Sequence, residues 1–391
     1  MNVALITGEF PPMQGGVGDY TRELAREFAR RGLTVTIITG QPPPTAGTAS
    51  PAESYAIRYA PLTRWRSLPQ VADLTRDCAL VHIQYQAAAY GMTPPIHFLP
   101  RYLHWKNRAG KIVVTFHDLK VPYLFPKAGR LRWQALMLLA NSADAVIATN
   151  PEDAQTLAHS ARLRALRTIP IGSNIHPAEQ QPASRNAARA VLGVADDEIL
   201  LCYFGFLNAS KGGETLVRVL EKVIQAGYNS RLLMLGGEVG ASDPTNAAYA
   251  QRIKTLLRER GLAERVIWAG YRSAGEVSAL WHASDIAVLP YADGVSLRRG
   301  TLMAALAHAM PIVTTAPRAP VSQLRDGDNI ALAPAGDGEA LAARVQALIA
   351  SPALRERLAQ GAAQLAQSFT WPRIADQHLE LYREVVHQAT I

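Results

Sequence analysis

The stretch Val3-Ala4-Leu5-Ile6-Thr7-Gly8-Glu9-Phe10-Pro11-Pro12-Met13-Gln14-Gly15-Gly16-Val17-Gly18-Asp19-Tyr20-Thr21 decides how the rest of the chain is read. Its apolar run is the pattern of a strand buried on both faces. A proline-bearing loop follows, then Gly15-Gly16-Val17-Gly18, then a helix expected to start near Asp19. Glycines at a helix start let backbone N–H groups approach an anion closely, and the helix dipole favours negative charge there. The loop reads either as a phosphate cradle or as a glycine-softened turn that binds nothing, and the residues alone leave both open.

Outward from this unit, the same alternation continues. Apolar runs predict strands over 3–7, 35–39, 80–84, 112–116, 145–148 and 167–170, with helices over 19–31, 95–108, 131–140 and 152–158 between them. The polar, proline-bearing stretch from His176 to Ala187 reads as a linker, and the pattern then restarts. Strands are predicted over 199–204, 232–235, 266–269, 286–289 and 312–315, with a helical tail from Trp371 to about His387. The expected boundaries are a first domain over 1–175, a linker over 176–190, a second domain over 191–370 and a tail over 371–391. Short apolar runs separated by amphipathic helices imply buried parallel sheets with helices on both faces. The fold class is therefore α/β, with two doubly wound Rossmann-like domains facing a cleft at the carboxyl ends of their strands.

Composition narrows the chemistry. The 391 residues are 48% hydrophobic and 18% charged, with a net charge of +8, which suits a globular protein with anionic partners. The two cysteines, Cys78 and Cys202, lie far apart, and there is no CxxC or HExxH, so neither a disulfide framework nor structural zinc is expected. No apolar run approaches the ~18 residues of a membrane span, and no secretory signal is read, so a cytoplasmic location is the expectation.

Three places carry candidate chemistry. In Phe204-Gly205-Phe206-Leu207-Asn208-Ala209-Ser210-Lys211-Gly212-Gly213 a lysine stands at the start of a helix, where its charge opposes the helix dipole. Such a lysine suits a diphosphate. His117 closes the strand in Thr115-Phe116-His117-Asp118, on the side where ligands bind in doubly wound sheets; a structural His–Asp pair is the other reading. His82, within a predicted strand, reads as a core histidine. Arg298 and Arg299 precede a further helix start at Gly300-Thr301-Leu302, a third anion site or two solvated arginines.

Taken together these residues resemble the retaining glycosyltransferases of the GT-B architecture, family 4, over nearly the whole chain. The anchors are Glu9-Phe10-Pro11-Pro12 with Gly15-Gly16-Val17-Gly18, Thr115-Phe116-His117-Asp118, the connector Ile169-Pro170-Ile171-Gly172-Ser173-Asn174, Gly205 with Lys211-Gly212, and Gly270-Tyr271 with Leu280-Trp281-His282-Ala283-Ser284-Asp285-Ile286. The resemblance implies that Gly15, Gly16 and Gly18 lie against the donor's diphosphate or sugar, His117 at the transferring sugar and Lys211 on the diphosphate. It implies that the segment around Tyr271 frames the base and that the final helix crosses back to the first domain.

The chain departs from that pattern. Phe206 stands where the family usually has an arginine, and Ser296 and Ala304 stand where it has two glutamates. Asp293-Gly294 resembles the family's Glu-Gly with three residues inserted, and Arg298 or Arg299 supplies the missing cation. The implied reaction moves a sugar from a nucleotide diphosphate to a glycan or lipid-linked acceptor, with no cofactor and no metal. The lost carboxylates also motivate a non-catalytic nucleotide-sugar-binding or scaffold protein. A nicotinamide dehydrogenase is excluded because the first loop lacks GxGxxG directly after its strand. No binding module supports nucleic acid as a partner. Apolar residues beside basic ones over 94–105 and 121–133 lead to the further expectation of peripheral contact with an anionic membrane; helices packing on their own sheet are the alternative.

Overall fold

The opening run forms β1 (Asn2–Thr7), five of whose six residues are buried. The computed structural model describes residues 1–13, 15–40, 54–106, 110–121, 129–178, 182–236 and 244–387. After β1 come α1 (Gly16–Arg30), β2 (Thr34–Thr39), β3 (Ala56–Tyr59), α2 (Ser67–Leu74), β4 (Leu80–Tyr85), α3 (Pro95–Trp105), β5 (Lys111–Phe116), α4 (Arg130–Asn141), β6 (Ala145–Ala148), α5 (Pro151–Ser160) and β7 (Leu166–Thr168). The strands pair in parallel in the order β3-β2-β1-β4-β5-β6-β7, with Val3 beside Val35 on one side and Leu80 on the other. Helical crossovers cover both faces of such a sheet, so its strands are largely apolar, and the polar residues they carry, such as His82 and Gln84, are buried as well.

The chain continues through α6 (Pro182–Val191), β8 (Ile199–Phe204), α7 (Gly213–Gln225), β9 (Ser230–Leu235), α8 (Pro244–Glu259), β10 (Val266–Gly270), α9 (Ala274–Ala283), β11 (Ile286–Leu289), α10 (Gly300–Ala307), β12 (Ile312–Thr315), β13 (Ala331–Ala333), α11 (Gly338–Ala350), α12 (Pro352–Ala366) and α13 (Trp371–His387). The second sheet runs β10-β9-β8-β11-β12-β13, also parallel. Met1–Gly172 with Trp371–Ile391 forms one compact unit and Ser173–Thr370 the other.

In the first unit, one face of the sheet buries Ile6, Val81 and Val114 against Leu99 and Leu103 of α3 and Leu136 of α4. The other face buries Leu5, Ile37 and Val113 under Tyr20, Leu24 and Phe28 of α1 and under Ile374 and Tyr382 of α13. The apolar residues of α1 recur at three- and four-residue spacing, so one stripe of the helix faces the sheet.

Five elements differ from the sequence expectation. Helix α1 begins at Gly16 rather than Asp19, so Gly16, Val17 and Gly18 are its first turn. Residues 182–191, expected in the linker up to 190, form α6, whose Arg185 and Arg189 reach Asp285 at 2.7 and 3.2 Å and tie the helix to the second unit. The short β3, α2 and β13 carried no readable run, being four, eight and three residues long.

In both sheets the strand order reverses next to the first strand, between β1 and β4 and between β8 and β11. A doubly wound sheet opens its ligand crevice at the carboxyl ends of the strands flanking such a reversal.

Candidate active site

At the reversal in the second unit, two loops are stitched together. The turn Ala209–Lys211 follows β8, and the Ser210 carbonyl accepts a hydrogen bond from the Ala292 N–H, 3.0 Å away, beyond β11. Gly212 has a φ of +71°, and a Cβ there would stand 1.8 Å from the Pro290 carbonyl oxygen. Only glycine permits this approach, and it fixes where Lys211 emerges.

The buried Tyr291 ring organises the side chains. Lys211 Nζ lies 5.2 Å from its centre and the Arg299 guanidinium 4.9 Å. The Tyr291 hydroxyl meets Thr301 Oγ1 at 2.6 Å, and Asp293 ion-pairs with Arg299. Burial, followed by the neighbouring Arg299, lowers the Lys211 ammonium to about 8, with Asp293 opposing and Arg298 adding to the shift. The Arg299 Nε and Ser296 Oγ atoms are buried without a hydrogen-bond partner. Three cations and one carboxylate leave a local charge of +2, with polar atoms still to be satisfied, which matches a diphosphate in sign and size.

The structure thus brings Lys211, Asp293, Arg298, Arg299 and the start of α10 at Gly300-Thr301 to one place. Tyr271 is elsewhere, beyond the end of β10 with its side chain 69% exposed. Ala304 is buried inside α10, leaving no acid at that position.

At the reversal in the first unit the chemistry is different. Glu9 Oε1 accepts hydrogen bonds from the N–H groups of Val17 at 3.0 Å and Gly18 at 3.4 Å. The chain's own carboxylate therefore takes two of the donors expected to cradle a phosphate. A Cβ on Gly15 would lie 2.2 Å from the Glu9 carboxyl group, so Gly15 makes room for Glu9, whereas the space around Gly16 is open. Burial raises the Glu9 pKa despite these bonds.

His117 follows β5 and does not pair with Asp118. Its Nε2–H donates to Gln84 Oε1 at 2.9 Å, and its ring meets the edge of Tyr20 at 4.7 Å. Burial, with His378 nearby, lowers it to about 3, so it is neutral at pH 7 and keeps Nδ1 as an acceptor. Behind it the Gln84 amide lies 3.3 Å from both nitrogens of His82. His82 is a core histidine, held by Tyr382 at 2.5 Å and Thr115 at 2.7 Å. Sequence reasoning assigned no role to Glu9, Gln84 or Tyr291. Only Glu9 had a visible signal, as a carboxylate shortly before a glycine-rich helix start.

Among the described residues no group of three or more His, Cys, Asp or Glu side chains is placed to hold a metal ion. Among them, too, no helix is long and apolar enough to cross a membrane.

Comparisons with known proteins agree with this layout. The family model "Glycosyltransferase Family 4" matches residues 14–176, and "Glycosyl transferases group 1" matches 184–365. The D-inositol 3-phosphate glycosyltransferase of Stackebrandtia nassauensis is 23% identical, covering 100% of this chain and 93% of its own. That of Corynebacterium diphtheriae is 25% identical over 98% and 94%. Sucrose-phosphate synthase of Thermosynechococcus elongatus has the same fold, with a TM-score of 0.75 at 22% identity over 99% of this chain and 100% of that one. Anabaena HepE, in complex with UDP and glucose, gives 0.78 at 17% identity over 98% and 100%. Two doubly wound units, each matched by a glycosyltransferase model, define a glycosyltransferase of the GT-B architecture. Within that class the chain belongs to the family 4 type.

Proposed function

We propose that this enzyme moves a hexosyl group from a nucleotide-diphosphate sugar to a glycan or lipid-linked acceptor, with retention at the anomeric carbon and without a metal or other cofactor. The observation that carries the reading is the cluster of Lys211, Arg298, Arg299 and Asp293 around Tyr291, with its orphaned Arg299 Nε and Ser296 Oγ. The bond from the anomeric carbon to the phosphate oxygen breaks, and the bond to the acceptor oxygen forms on the same face. The acceptor's proton goes to the departing phosphate. Charge grows on that phosphate as the bond breaks, and cations held in place beforehand stabilise it. A histidine that binds its proton as weakly as His117 is a poor general base, which supports leaving the proton to the phosphate. His117 Nδ1 instead accepts from a sugar hydroxyl, Gly16 and Gly18 line the sugar, and the exposed Tyr271 ring stacks on the base.

Relatives named for inositol phosphate and a structural neighbour bound to UDP and glucose guide the first substrates. The test is a screen of UDP-, GDP- and ADP-sugars by thermal shift, then turnover with and without EDTA. A donor at 100 times its dissociation constant should stabilise the fold by about 2.7 kcal/mol. The reading fails if no nucleotide sugar shifts the transition, or if EDTA abolishes turnover and metal restores it.

A further inference from the structure

Helix α3 is apolar on both sides. Ile96, Leu99 and Leu103 face the core and the half-buried Tyr102 packs at its margin, but Phe98, Arg101 and Trp105 recur at helical spacing on the opposite face. Phe98 is 37% exposed and Trp105 71%. Trp65, 53% exposed just before α2, packs against Phe98 with ring centres 5.1 Å apart and the rings tilted by 58°. Tyr102 and Trp105 lie 5.7 Å apart, and Lys106 Nζ lies 4.4 Å from the Trp105 ring. Among the described residues of the first unit, every exposed large aromatic belongs to this patch.

Charge is concentrated in the same part of the chain. Residues 54–143 hold twelve lysines and arginines but only Asp73, Asp77 and Asp118, a net +9 against +8 for the whole protein. Arg64, Arg66, Arg101 and Lys106 border the aromatic rings, all are exposed, and none has an acidic partner among the described residues. Exposed rings with apolar bodies, ringed by unpaired cations, match the boundary between anionic headgroups and acyl chains. A second copy of so positive a face would repel the first.

We infer that the α2–α3 face, through Trp65, Phe98 and Trp105 with Arg64, Arg66, Arg101 and Lys106, docks on an anionic phospholipid surface. This gives the proposed lipid-linked acceptor a place to meet the enzyme and is independent of the donor chemistry. It also corrects the sequence expectation for 94–105: Ile96, Leu99 and Leu103 belong to the core, and the aromatic stripe faces outward. The other expected segment falls largely on 122–128, outside the described residues.

Flotation with vesicles containing one-third phosphatidylglycerol should recover the protein, and pure phosphatidylcholine vesicles should not. Brominated lipid should quench tryptophan fluorescence, and Trp65→Ser/Trp105→Ser should remove the quenching. Arg101→Gln and Lys106→Gln should each lower partitioning about fivefold, the effect of one basic side chain near the surface. These variants should keep wild-type turnover on a water-soluble acceptor, so loss of docking is distinguishable from failure of the donor reading. No flotation at low salt, flotation unchanged in the double tryptophan variant, or equal binding to double-stranded RNA without quenching by lipid would overturn the inference.

Discussion

Lys211 should give the enzyme an alkaline limit near pH 8. The ammonium is lowered to about 8 by burial and the adjacent Arg299, and in the proposed mechanism it would stabilise the leaving phosphate only while charged. At pH 7 about nine-tenths of the free enzyme carries the proton, and at pH 9 about one-tenth does, so kcat/KM should fall about tenfold between them. A bound diphosphate strengthens the ammonium, so the same limit in kcat should appear at higher pH. Lys211→Arg should abolish the limit, because a guanidinium stays charged throughout. Lys211→Met should cost ~10²–10³ in rate.

Stability should move the opposite way. An unfolded lysine keeps its proton up to its ordinary value of 10.5, and the folded one loses it near 8. Between these values the unfolded chain binds more protons, so stability rises with pH there, and below 8 the full cost of the buried charge is present. That cost is at most about 3 kcal/mol. Lys211→Met should therefore melt higher than the wild type at pH 7, by a margin that narrows above pH 8. Steady-state rates from pH 6.5 to 9.5 and melting curves over the same range measure both effects. An alkaline limit that persists unchanged in Lys211→Arg would refute the assignment.

Asp293 opposes the shift on Lys211, so Asp293→Asn should reduce turnover and move the alkaline limit of kcat/KM to lower pH; an unmoved limit would separate the two residues. Ser296→Ala removes a hydroxyl that is buried without a partner, so the ligand-free protein should gain stability while the stabilisation conferred by a nucleotide sugar shrinks; a loss of ligand-free stability would show that the hydroxyl is already satisfied. Gln84→Glu places a carboxylate beside His117 Nε2 and should raise the histidine from about 3, adding an acid limit to kcat/KM that the wild type lacks; an identical acid side in both enzymes would remove Gln84 as the residue that positions His117. Gly15→Ala drives a methyl group into the Glu9 carboxylate and should cost ~1 kcal/mol, the usual worth of a helix cap, and less when added to Glu9→Ala; fully additive losses in melting temperature would show that the two do not act together.

The fold was legible because parallel strands covered on both faces leave unbroken apolar runs. The strands over 145–148, 199–204, 286–289 and 312–315 needed no adjustment. The start of α1 was misread because Gly16 and Gly18 are poor helix formers, and the cap that stabilises them is a side chain from the preceding loop. Helix α6 was misread because polar, alanine-rich residues look like a linker until Asp285, about a hundred positions later, pairs with two of its arginines. In the site, Lys211 and the two arginines stood out through their place at helix starts. Tyr291 did not, since a tyrosine at a strand end gives no sign that two cations will flank it. Gln84 was hidden for a related reason: its role comes from the neighbour β5 supplies, and strand order is not written in local sequence.

The two strand-order reversals carry opposite chemistry. The second unit gathers cations in excess around Tyr291, so a diphosphate there gains charge pairing and satisfies orphaned donors. The first unit offers a neutral His117 and a helix end already capped by Glu9, so a diphosphate there would face a carboxylate that holds the N–H groups it needs. A sugar makes no such demand, because its hydroxyls need only neutral donors and acceptors. This charge balance favours the proposal that phosphate recognition belongs to the second unit. On the proposed function, the same cluster would stand in for the family's paired glutamates. The Arg299 bond occupies part of the Asp293 carboxylate and leaves lone pairs to accept a further hydrogen bond, while among the described residues no carboxylate ion-pairs directly with Lys211, whose charge would then be left for the leaving group.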